Sequence, residues 1–101
     1  MNRRVYIVHG FEGNPHGNWF DWLCTQIKST GAQAISLAMP NPDKPSTTAW
    51  QFTLDQHIGK PDAHTFLVGH SLGCITLHHF LSRQQPQKIG GLLLAAGFAD
   101  M

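Results

Sequence analysis

Four short apolar runs alternate with three longer segments in which apolar residues return every three or four positions. That alternation is the feature that most narrows the fold. The runs cover residues 5–8, 34–37, 65–68 and 89–96, each the length of a buried strand. The first longer segment carries Trp19, Leu23 and Ile27, with Asn18 placed to cap a helix and Thr30-Gly31 placed to end it. The second carries Trp50, Leu54 and Ile58, with Ser46 or Thr47 as cap and Gly59 before Pro61 as stop. The third runs from Leu72 to about Arg83, and its apolar residues (Cys74, Ile75, Leu77, Phe80, Leu81) spread over most sides, which predicts a largely buried helix. Strand and helix in strict alternation imply an α/β fold: a mostly parallel sheet, right-handed crossovers and helices on both faces.

The chain has 101 residues, room for one domain. Lys and Arg exceed Asp and Glu by one, and no basic cluster exceeds Arg3-Arg4. A nucleic-acid or anionic-membrane partner needs a larger positive footprint, so neither is expected. The apolar run after Arg3-Arg4 is too short for a secretion signal, and no stretch approaches the length of a membrane span. A cytoplasmic protein is the expectation. Cys24 and Cys74 both fall in helical segments and read as small hydrophobes, not as a disulfide. No His, Cys or carboxylate spacing suits a metal, and His9-Gly10-Phe11-Glu12-Gly13 has neither dinucleotide nor P-loop spacing. Neither a metal nor a cofactor is therefore expected.

Chemistry concentrates at Gly69-His70-Ser71-Leu72-Gly73, between the third strand and the third helix. A serine there is either an ordinary helix cap or a nucleophile held on a sharp turn. The flanking glycines let strand and helix approach closely and favour the nucleophile. Ser71 is then the catalytic candidate, and the backbone N–H of Leu72 the first donor to an oxyanion. The second donor comes from the loop at Gly10 and Phe11, because both loops leave the same carboxyl edge of a parallel sheet. His9, His70 and Asn41, the last in the loop 39–43, are candidate site-lining residues. His70 adjoins the serine and is expected to point away from it, while His9 is expected to shape its loop. His57, His64, His78 and His79 read as surface or helix-flank residues. Asp62 precedes the third strand, at the wrong edge, and Asp100 follows the fourth, at the right one.

Val5-Tyr6-Ile7-Val8-His9-Gly10-Phe11, Asn18-Trp19-Phe20-Asp21-Trp22-Leu23, Met39-Pro40-Asn41-Pro42, Gly69 to Cys74 and Leu93 to Phe98 together resemble one family. It is the small serine hydrolases of the α/β-hydrolase superfamily related to retinoblastoma-binding protein 9, in particular their bacterial members. The resemblance is collinear over the whole chain. It implies an α/β-hydrolase-type sheet with the second strand at one edge, then the first, third and fourth. It implies Ser71 as nucleophile, with Leu72 and a residue of the Gly10-Phe11-Glu12 loop as oxyanion donors. It also implies a triad Asp and His later in the family's domain, at positions this sequence does not contain. Asp100 follows a different strand and does not match.

The expectation is therefore that residues 1–101 form the amino-terminal part of a single hydrolase domain, cut after the fourth strand. The rival expectation is a short interaction protein that buries the open edge of its sheet in a partner or a second copy. The family reaction would be hydrolysis of a small ester or amide through an acyl-enzyme.

Overall fold

The computed structural model describes residues 2–95. Strands β1 (Arg4–Val8), β2 (Gln33–Leu37), β3 (Thr65–His70) and β4 (Gly91–Ala95) alternate with helices α1 (Phe20–Ser29), α2 (Thr47–His57) and α3 (Leu72–Gln84). The sheet order is β2-β1-β3-β4, and every adjacent pair is parallel. Val8 stands opposite both Leu37 and Gly69, so the loops after β1, β2 and β3 leave the sheet side by side.

Successive strand residues point to opposite faces, and each face has its own helices. Tyr6, Val8 and Leu67 pack with Trp50 and Leu54 of α2 and with Leu77 and Phe80 of α3. Ile7 and Val68 pack on the other face with Phe20, Leu23 and Cys24 of α1. Between α2 and α3, Gln51 donates its amide to the Thr76 carbonyl at 2.9 Å, and Arg83 bonds both Gln51 and Asp55. At the amino edge, Asp62 accepts from Arg4 at 3.0 Å and from the His64 N–H at 2.9 Å. The His64 N–H, with Arg4 and Thr65 adding to it, holds the Asp62 carboxyl below the usual carboxylate range. This is the end of the sheet remote from Ser71, as the sequence indicates for Asp62.

Four details differ from the sequence reading. Asn18 is not a cap: its φ is 53°, it lies in the turn before α1, and Trp19 occupies the cap position without a side-chain hydrogen bond. β3 continues through Gly69 and His70, because these residues still pair with Leu94 and Ala95 of β4. β4 itself starts at Gly91, not at Ile89. α3 buries one face only, through Gly73, Cys74, Thr76, Leu77 and Phe80, and leaves Ile75 half exposed, at 51%. Cys74 is buried and Cys24 half-buried, both as free thiols, and burial pushes each thiol above its ordinary pKa. Leu92, Leu93 and Leu94 of β4 are exposed at 41%, 55% and 46%. The described residues leave both faces of that strand about half open. No helix among the described residues is long and apolar enough to cross a membrane.

Candidate active site

Two serines stand at helix N-caps in this chain, and they behave differently. Ser46, before α2, has extended backbone (φ −110°, ψ 127°), and its hydroxyl accepts the Ala49 N–H at 3.2 Å. That is ordinary capping. Ser71, before α3, has φ 57° and ψ −122° and makes no side-chain capping bond. A non-glycine residue there holds about 1–3 kcal/mol of backbone strain, which the surrounding structure must impose.

The imposing contacts come from main chain packed too closely for side chains. A Cβ on Gly73 would collide with the Val8 carbonyl oxygen and lie 3.0 Å from that of His9, so α3 starts directly against the end of β1. A Cβ on Gly10 would lie 2.8 Å from Ser71 Cβ and 3.2 Å from the Leu72 nitrogen. Only glycine permits either approach, because other residues carry a Cβ. From the other side, Ser71 donates its N–H to Ala95 of β4 at 3.2 Å. The turn is gripped from both neighbouring strands.

Gly10, Ser71 and Leu72 are thus brought together at the carboxyl edge. The N–H groups of Phe11 and Leu72 hold no hydrogen bond among the described residues, whereas Glu12 spends its N–H on Pro42 at 2.8 Å. Phe11 is exposed. Asn41 adopts φ 45° and opens a turn that Lys44 closes on its carbonyl. Its loop rests on the one after β1 through the Glu12–Pro42 bond, but no bond joins Asn41 itself to the serine turn.

His9 lies behind the site. It is 1% exposed, its Nε2 accepts the Met39 N–H at 3.0 Å, and its Nδ1 meets the Gly10 carbonyl at 2.9 Å. With Nε2 accepting, the proton sits on Nδ1, which donates to Gly10. The ring stands edge-on to Trp50 at 5.7 Å. Burial lowers its pKa, and the bond to Gly10 opposes the shift. Both nitrogens are committed, so His9 is a neutral brace between two loops. His70 turns its ring to the opposite face of the sheet, edge-on to Trp19 and Phe20 at 5.8 and 5.9 Å. Neither ring is bonded to Ser71.

One pairing had no signal in the sequence. His16 Nδ1, in the exposed loop before α1, meets Oδ1 of Asp21 in the first turn of α1 at 2.8 Å. Its five-residue separation across a turn follows no helical or strand period, so only the fold brings the two together. The described residues contain no cluster able to hold a metal ion. Asp100 lies outside the described residues.

A parallel sheet with helices on both faces, and a strained serine turn pressed between β1 and α3, defines an α/β-hydrolase type of protein. The chain belongs to the serine hydrolase family, whose model matches residues 5–101. It is 40% identical over 100 residues to YdeN of Bacillus subtilis (strain 168), which carries a provisional hydrolase name. The crystal structure of the ydeN gene product superposes with a TM-score of 0.90 at 38% identity, over 97% of this chain. The chain spans about half the length of that relative, 53% of it in both comparisons.

Proposed function

We propose that Ser71 is the nucleophile of a hydrolase acting on a small ester or amide, by way of an acyl-enzyme. The observation that carries this reading is the contrast between the two N-cap serines: Ser71 is held in strained backbone yet performs no capping. Strain of that kind is retained where it aims a reactive group. Ser71 Oγ bonds to the substrate carbonyl carbon and gives its proton to a base. The carbonyl oxygen takes up negative charge opposite the Leu72 N–H and an N–H of the Gly10-Phe11 segment. The alcohol or amine then leaves with a proton, and water cleaves the serine ester to release the acid.

Among the described residues no histidine is bonded to Ser71, and His9 and His70 are engaged elsewhere. The base and its orienting carboxylate are assigned to the region corresponding to the other half of the YdeN length, as the family resemblance implies. Fluorophosphonate labelling tests the reading. Ser71 should be labelled weakly in the 101-residue chain and strongly in this chain joined to the remaining part of YdeN.

A second reading has its own observation. The three exposed leucines of β4 favour a surface that pairs with another polypeptide. Self-association through that edge is the form we propose for it.

A further inference from the structure

A groove of about 180 Å³ runs from the serine turn between the start of α2 and the exposed side of α3. Leu72, Ile75 and His79 form one helical stripe along its α3 wall, and Pro45, Thr47 and Trp50 form the other wall. Leu72 belongs to both places. Its nitrogen lies beside Gly10 and Ser71, and the same residue lines the groove.

The groove is mainly apolar although several of its residues are polar, because most of their polar groups are spent within the protein. Ser46 accepts from the Ala49 N–H, Gln51 donates to the Thr76 carbonyl, the Thr76 hydroxyl donates to the Leu72 carbonyl, and Trp50 donates to the Pro40 carbonyl. The Thr47 hydroxyl and the His79 ring make no side-chain hydrogen bond among the described residues. No Asp, Glu, Lys or Arg lines the space. A charged substituent entering it would lose its hydration and find at most a hydroxyl or an imidazole, with no carboxylate, ammonium or guanidinium to pair with. A dry protein cavity of about 150 Å³ takes up benzene, so this groove is the size for one ring or about six carbons.

We propose that this groove is the specificity subsite for an uncharged apolar substituent of about six carbons on the carbonyl substrate, with Ile75 setting its width. The assignment rests on the hydrolase reading only for the molecule that brings the substituent, on either its acyl or its alcohol side. An NMR titration of the 101-residue chain with two unreactive probes, hexanamide and hexan-1-ol, tests it. At least one probe should produce saturable shifts at the Leu72, Ile75 and Thr76 amides and at the Trp50 indole. A probe that also moves the Ser71 amide marks its side of the substrate as the one bound.

Ile75→Trp, at a half-exposed position, should weaken binding about tenfold or more, and Thr47→Trp should do so from the opposite wall. Absence of saturable shifts at these residues, or equal affinity in the wild type and both variants, would overturn the proposal. Labelling of Ser71 by a fluorophosphonate is an independent readout. With labelling read on this chain joined to the remaining part of YdeN, binding in the groove without labelling supports the subsite and removes the reaction, whereas labelling without binding removes the subsite and leaves the reaction.

Discussion

Met39 donates its backbone N–H to His9 Nε2 at 3.0 Å, joining the loop after β2 to the one after β1. The same ring donates from Nδ1 to Gly10, the residue pressed against Ser71. A protonated ring would have no acceptor to offer Met39, and burial already holds the His9 pKa below its ordinary value. The unfolded chain therefore takes up the His9 proton first as pH falls. The stability due to His9 is complete above about pH 6.5 and is lost as pH drops through the lower folded pKa. Asp62, whose folded pKa is also lowered, acts with the same sign but only in the acid carboxylate range. Urea unfolding between pH 8 and pH 5 should show the His9 slope. His9→Gln should flatten it and cost about 1–3 kcal/mol at pH 8 by loosening the two loops.

Gly73 is the tightest point of the fold, with the Val8 carbonyl where a Cβ would stand. Gly73→Ala must push α3 off the end of β1 and should destabilise by about 3 kcal/mol, the upper part of the range for overpacking. Thermal unfolding followed by circular dichroism measures this directly. A neutral outcome would mean that the serine turn is not gripped as described.

The strain at Ser71 predicts an unusual pair of variants. Ser71→Gly should raise stability by about 1 kcal/mol, because glycine adopts φ 57° without penalty. Ser71→Ala keeps a Cβ and should leave stability close to the wild type. Urea midpoints for the two variants decide the matter, and equal midpoints would remove the strain argument.

Leu92, Leu93 and Leu94 place apolar side chains on both faces of β4, an edge strand among the described residues. Sedimentation velocity should show concentration-dependent self-association of the 101-residue chain. Leu93→Lys should shift the distribution towards the monomer by about an order of magnitude in dissociation constant. A monomer unaffected by concentration would contradict self-association at this edge.

Parallel pairing and two-faced helix packing were legible in the sequence because they follow from alternation and length, whereas the strand order came from the family resemblance. Trp50 and Leu54 sit in the core where their four-residue spacing puts them. The meaning of Asn18 was not legible: a residue that favours helix caps also tolerates left-handed turns, and the loop's contacts chose the second. Ser46 and Ser71 both precede a helix, and the flanking glycines of Ser71 favour a nucleophile without excluding a cap. The backbone angles and the missing capping bond then separate the strained serine from the capping one. The groove beside Leu72 was hidden for a different reason. It depends on which polar side chains of α2 and α3 satisfy one another, and Gln51 bonds across to Thr76 over twenty-five positions.

Gly10 and Leu72 are proposed to frame Ser71 as a nucleophile. Fluorophosphonate labelling, read by peptide mass spectrometry, tests it most directly on this chain joined to the remaining part of YdeN, with folding checked by circular dichroism. Adduct is expected on Ser71 and lost in Ser71→Ala, with labelling slowed at least about tenfold in Gly10→Ala, whose Cβ would meet Ser71 at 2.8 Å. A folded protein that carries no adduct on Ser71, or that labels equally well in Ser71→Ala, would contradict it.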